Sequence, residues 1–396
     1  MIFIRNSRNL TKCEKSIVSS LLDTSSPPLQ PKILSKNLEE ASKNRPTRYS
    51  IFAFRSFLTP AVTIRDMNIF YTHKTALEYW RGFRRGSFAE PIPVRAKPPT
   101  SAPNTKAIQK DTPFGLTAPL HITVAHAGAR KKSKSVISHV FQKPYPRGSY
   151  MKTREGYFVA SPELCFLQMA GEVAYEDLLK IAFEFCGLYV LAPEEAMGFN
   201  KVAPLTSVSK LLAYVKKMRW ARGSILALRA IKYVLDNAAS PRETLVTIIL
   251  TLPYKRGGFG FRKPQLNAEI LNKNPQSEFY EQQQFFCDLF WRKAGLAVEY
   301  DSDAHHTGAD RISADAIRRD DLAHLGVYTI TVTNKQIKYS HERKRVARRV
   351  AKRLGKQLRY REPTFTERNV ELYNALTRDE FRAPAMGGAA LAARAW

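Results

Sequence analysis

The chain has 396 residues, enough for two compact domains at roughly 100–200 residues each. Lys and Arg number 63 against 35 Asp and Glu, and the resulting charge of +28 attracts polyanions; a hydrophobic fraction of 44% supports packed cores and excludes a wholly disordered basic tail. No apolar run approaches the roughly 18–20 residues of a spanning helix, so the expected partner is nucleic acid and not a membrane.

Residues 1–48 mix Ser, Lys, Asn and Pro without a sustained period and are expected to be mobile. Residues 1–15 carry charge but no following apolar block, which argues for the cytoplasm over secretion. Cys13, Cys165, Cys186 and Cys287 form no CxxC pair, and the last three sit in apolar contexts as core residues.

Residues 49–238 are expected to form an α+β domain. Thr72 can cap a helix that carries Ala76, Leu77, Tyr79 and Trp80 on one side and ends near Gly82. A loose stretch at 95–115 precedes strands at 120–124 and 136–140, around the basic loop Arg130-Lys131-Lys132-Ser133-Lys134. Residues 150–153 and 157–160 flank Arg154-Glu155-Gly156 as a hairpin. Ser161-Pro162-Glu163 then opens a helix with an N-cap, a Pro at the first position and an acid at the positive end of the dipole. Further helices fit 175–191, 207–218 and 224–238.

Ser240-Pro241-Arg242-Glu243 starts a second unit, residues 239–362, in the same manner. A helix at 240–252 and a Gly-rich loop lead to strands at 266–271, 285–290 and 296–300. A helix at about 313–325, a strand at 327–332 and a basic helix from 341 to about 360 follow. This α-β-β-β-α-β order permits a mixed sheet flanked by helices. Past Pro363 the pattern weakens; 363–396 read as a C-terminal tail whose Gly/Ala-rich end is expected to fray.

The chemistry lies in the strand pair. If the hairpin closes through residues 292–295, Trp291 pairs with Leu296, and counting back sets Asp288 opposite Glu299, with Asp301 on the same face as Glu299. Two carboxylates facing across a strand pair repel, and neither has a basic neighbour on its own face. A divalent cation removes the conflict, so Asp288, Glu299 and Asp301 are candidate ligands for Mg2+ or Mn2+. His305 and His306, just past the strand end, are within reach as general acid or base. Glu243 is either a helix cap, by its spacing from Ser240, or a fourth acid of the site. Arg318 and Arg319, and Arg345, Arg348, Arg349 and Lys352 on the basic helix, are candidate phosphate contacts.

Asp288, then Glu299-Tyr300-Asp301, after a helix bearing Glu243, resembles the D…(D/E)xK metal-binding core of the restriction-endonuclease-like superfamily. Residues 298–306, followed by Asp315, Arg318, Arg319 and Asp320, are similar to its branch related to very-short-patch-repair endonucleases. The resemblance implies a restriction-endonuclease-like sheet and Mg2+-dependent hydrolysis of DNA. One position departs, because Asp301 stands where that motif carries Lys. Upstream, Ile69-Phe70-Tyr71-Thr72-His73-Lys74-Thr75-Ala76, the strand at 120–124 and Gly156-Tyr157-Phe158-Val159-Ala160-Ser161-Pro162-Glu163 resemble the central part of AbiEi-type antitoxins. That implies DNA binding or regulation, and a toxin partner. The function expected is a metal-dependent DNA endonuclease in defence or repair; the alternative is a non-catalytic DNA-binding regulator on the same fold.

Overall fold

Phe70 and Tyr71, both almost fully buried, form a strand, β1 (Phe70–Tyr71), too short to show alternation in the sequence. It holds the middle of a six-stranded sheet in a computed structural model that describes residues 68–378 except 102, 111, 114, 132, 141–143, 272–283 and 302–308, with backbone alone at 109, 110, 309–312 and 315. The other strands are β2 (Ile92–Val94), β3 (Leu120–Val124), β4 (Val136–Val140), β5 (Tyr150–Lys152) and β6 (Phe158–Ala160), in the order β2-β5-β6-β1-β3-β4. The expected hairpin is β5–β6, and the basic loop joins β3 to β4, which run parallel.

Helix α1 (His73–Arg84) runs through Gly82. A Cβ at that position would collide with the Phe88 ring, so Gly82 serves close packing and does not end the helix. Thr72 stands at the N-cap but makes no capping bond; its hydroxyl lies 3.1 Å from His73 Nδ1. A short helix, α2 (Thr105–Lys110), interrupts the stretch read as loose. At α3 (Pro162–Met169) the cap is as the sequence implies, Ser161 Oγ accepting from the Leu164 N–H at 3.3 Å.

The helix expected over 175–191 is instead α4 (Tyr175–Cys186) followed by β7 (Tyr189–Leu191), which pairs with β8 (Phe199–Lys201). Gly187 breaks it: the residue is extended, and a Cβ there would lie 2.5 Å from the Phe183 carbonyl oxygen. After α5 (Val208–Lys217), α6 (Ser224–Ile231) stops seven residues before the expected end at 238, and Asn237 takes a left-handed φ of 69°. Between α1 and α4, Arg81 grips Glu184 with Nε at 3.0 Å and a second nitrogen at 2.7 Å, both side chains buried.

The later elements follow the expected order: α7 (Pro241–Thr251), β9 (Gln265–Leu271), β10 (Gln284–Trp291), β11 (Leu296–Asp301), α8 (Ala309–His324) and β12 (Tyr328–Thr333). The strands form a mixed sheet, β12-β11-β10-β9, antiparallel except for β11–β12. After α9 (Asn334–Lys338), the basic helix α10 (Ser340–Arg353) ends before Gly355 (φ 62°), seven residues short of the expected 360. The stretch past Pro363, read as weakly patterned, contains α11 (Thr364–Thr377), which buries Phe365, Asn369, Leu372 and Leu376.

One buried cluster runs from Phe70 to Leu376 through the six-stranded and four-stranded sheets, and a smaller one of Ala268, Phe285, Cys287, Phe290, Ala297, Leu322 and Val327 involves the four-stranded sheet and α8. The architecture is α+β, with mixed sheets flanked by helices. Among the described residues no helix is long and apolar enough to cross a membrane.

Candidate functional site: a carboxylate cluster on the second sheet

Gly295, with φ 52°, closes the β10–β11 hairpin, and Trp291 pairs with Leu296, Phe290 with Ala297 and Leu289 with Val298. Counting on sets Asp288 level with Glu299, but regular pairing stops there. Toward β9, Cys287 pairs with Ala268 and Leu289 with Leu266, and the intervening Asp288 is skipped. Its would-be partner, Asn267, has a left-handed φ of 44°. Alternation reverses across this kink: Phe285 and Cys287 belong to the smaller core cluster, Leu289 and Trp291 to the larger. Asp288 turns its carboxylate to the neighbouring strand, where Oδ2 accepts the Tyr300 N–H at 2.8 Å.

Three acids from three elements act on one another here. Burial pushes the Asp288 carboxyl well above the usual carboxylate range, Glu299 and Glu243 push it further, and the Tyr300 N–H and Arg318 oppose them. Glu299 is raised by burial against the pull of Arg318 and the Cys287 thiol. Although Glu299 is partly exposed as a residue, its Oε1 is sealed from solvent and has no hydrogen-bond partner; it forms an ion pair with Arg318 at 3.7 Å. Arg318 also donates to the Phe286 carbonyl.

Glu243 makes half of the capping box that its spacing from Ser240 offers. Ser240 Oγ accepts from the Glu243 N–H at 3.1 Å, while the Glu243 carboxylate accepts the Ala239 N–H at 2.8 Å, not that of Ser240 as a capping box would have it. The same oxygen accepts from Asn267 Nδ2 at 2.8 Å, which ties α7 to the kinked position of β9. Burial raises the Glu243 carboxyl, the Ala239 N–H and the Asn267 and Ser240 side chains restrain it, and Glu299 raises it further.

Asp301 ends β11 beside Thr333, two positions beyond Glu299. His305 and His306 lie outside the described residues, as does the Asp315 side chain.

On α10, Arg345, Arg348, Arg349 and Lys352 are exposed, opposite the buried Val346 and Val350; Arg345 pairs with Glu342 at 2.9 Å. Arg319 on α8 is exposed as well. Two other cations of the basic helix are not free surface. Arg343 is buried, donating to the carbonyls of Ile337 and Lys338 and to Asn369, and Lys344 pairs with Glu362 at 2.6 Å.

No family model, curated protein or solved structure matches the chain.

Sequence reasoning missed two features. Asn267 gave no signal, because its role depends on a left-handed strand position. A histidine group, His73, His121 and His139, also went unnoticed: one ring nitrogen of each lies within 4.8 Å of the others. The signal that could have found it is the parallel pairing of β3 with β4, which puts His121 and His139 on one face.

Proposed function

We propose that the chain is a metal-dependent endonuclease that hydrolyses phosphodiester bonds of DNA, in a defence or repair setting. The observation that carries this reading is the convergence of Glu243, Asp288 and Glu299, with Glu299 Oε1 buried and without a hydrogen bond. Like charges brought together without a matching cation cost stability, and a binding protein gains nothing from anions beside a phosphate backbone. The succession of α7, β9, β10, β11, α8 and β12 supports the restriction-endonuclease-like resemblance.

The donor set suits a hard cation: carboxylate oxygens only, one of them buried without a hydrogen bond. Asp288 and Glu299 would hold Mg2+ or Mn2+, with Glu243 beside them and Asp301 at the strand end. Such an ion supplies a water of lowered pKa and charge stabilisation for the scissile phosphate. The chain's own residues do the rest. The Tyr300 N–H fixes the Asp288 carboxylate, Asn267 fixes that of Glu243, and Arg318 offers a guanidinium beside Glu299 for a phosphate oxygen. The exposed cations of α10 hold the DNA backbone without reading its sequence. With Asp in the usual Lys position, no ammonium activates the water from Asp301, and a histidine at 305 or 306 takes that task. The AbiEi-like segment would add DNA binding and engage a toxin partner.

Nicking of supercoiled plasmid by the purified chain and by Asp288→Asn, each with Mg2+ or EDTA, tests the reading. Cutting that needs both Mg2+ and Asp288 supports it. Equal cutting by both proteins, or cutting in EDTA, overturns the site assignment; no cutting by the parent favours the non-catalytic regulator.

A further inference from the structure

The histidine group belongs to the first sheet and takes no part in the carboxylate reading. His121 and His139 stand on β3 and β4, whose register sets His121 beside Ile137 and Thr123 beside His139, so both imidazoles leave the same face. His121 Nδ1 lies 2.9 Å from His139 Nε2, and the His73 ring stacks on that of His139 with centroids 3.6 Å apart. His73 reaches this place through a left-handed backbone, φ 48°, a conformation uncommon for residues other than glycine. The strain is held from α3: Gln168 Oε1 accepts the His73 N–H at 3.2 Å, and Cys165 Sγ lies 3.6 Å from the His73 carbonyl oxygen. Strained residues held by several outside contacts cluster at ligand sites.

We propose that His73, His121 and His139 form a binding site for a divalent transition ion of the Zn2+ class, with a coordination position left open to a small anion. Three imidazoles and no carboxylate is a donor set that favours Zn2+, Cu2+, Ni2+ or Co2+ over Mg2+ or Ca2+. The Thr72 hydroxyl, 3.1 Å from His73 Nδ1, orients that ring as an outer partner commonly does for a ligating histidine. Neutral imidazole is the ligating form, and the 2.9 Å contact between His121 Nδ1 and His139 Nε2 requires one of the two nitrogens to be an unprotonated acceptor. Lys74, Arg130 and Arg222 are the cations acting on the three rings. Their charge opposes a bare dication and favours one that carries hydroxide or a phosphate oxygen in its open position.

The test is titration of the chelator-stripped full chain with Co2+, read by the visible bands of a low-coordinate site, followed by displacement with Zn2+. Because carboxylates and His305 or His306 also bind such ions, the Asp288→Asn/Glu299→Gln chain is titrated in parallel. One tight equivalent should bind to both proteins. In His121→Gln/His139→Gln, affinity should fall by more than about 100-fold, beyond the usual cost of losing an outer partner. Retention of the tight equivalent by that variant, its absence from the parent, or its loss from the carboxylate variant would each overturn the proposal. Should the histidine variant fail to fold, diethylpyrocarbonate labelling of the parent decides: Zn2+ must shield His73, His121 and His139. Equal labelling with and without Zn2+ refutes the site. Neither result depends on nuclease activity, so failure here is separable from failure of the endonuclease reading.

Discussion

The backbone N–H of Tyr300 donates to Asp288 Oδ2 at 2.8 Å, so a side-chain carboxylate accepts a strand N–H at the point where β10 and β11 cease to pair. An asparagine oxygen can accept the same bond, which makes Asp288→Asn a substitution of charge with little change of shape.

That variant should change how stability depends on pH. Glu243, Asp288 and Glu299 all hold their protons to higher pH when folded, because of burial, to which repulsion adds at Glu243 and Asp288. The unfolded chain releases them near the ordinary carboxylate value of about 4, so the stability these three groups contribute is fully present below that value and is lost as pH rises through the folded ones. In EDTA, Asp288→Asn should have the higher urea midpoint at about pH 8, and the gap should close toward about pH 4. Mg2+ should raise the parent's midpoint at the higher pH more than the variant's. A gap that does not change with pH would show that the Asp288 carboxylate is not under this strain.

Exposed cations of α10 should act through salt. Changing Arg345, Arg348, Arg349 and Lys352 to Gln should weaken binding to all DNA sequences alike and reduce the slope of log K against log salt by up to about 0.9 per contact. Fluorescence anisotropy with unrelated duplexes measures both, and an unchanged slope would reduce these residues to a solubilising surface.

Arg343 belongs to the same helix and should behave otherwise. Its Nε donates to Asn369 Oδ1 at 2.7 Å, and Asn369 Nδ2 donates to the Gly257 carbonyl at 2.7 Å. Asn369→Ala strands both groups and should cost about 2–4 kcal/mol in urea unfolding, with no change in the salt slope of the folded protein.

A comparable loss is expected in the first half of the chain. Glu184→Gln leaves the buried Arg81 guanidinium without its countercharge and should destabilise by about 3–5 kcal/mol. Arg81→Met/Glu184→Leu, which removes both charges, should lose less than either single substitution. A double variant worse than Glu184→Gln would mean that the pair acts chiefly through its shape.

What could be read in advance was local. Alternation and a four-residue closure set the register at Trp291 and Leu296, and the Ser-Pro-x starts marked α3 and α7. Features that depend on contacts distant in sequence were illegible. Two residues of β1 carry no period, Gly187 stops α4 through backbone crowding, and α11 is read only from what it buries. At the site, the count put Asp288 level with Glu299, yet the kink with Asn267, the Ala239 bond of Glu243 and the place of Arg318 come from tertiary packing. Residues 73, 121 and 139 meet only after the first sheet has formed.

Helix α11 has a further consequence, for the order in which the molecule is made. It packs on α7, the element that brings Glu243 to the carboxylates, and on α4, where Lys180 Nζ donates to the Arg378 carbonyl at 3.2 Å. Its residues leave the ribosome after every acid of the cluster has been synthesised. A nascent chain therefore carries all three carboxylates while the helix that packs on α7 is still missing, and α7 gains that support only once residues 364–377 have been made. If the cluster cuts DNA, its maker is spared a half-built nuclease.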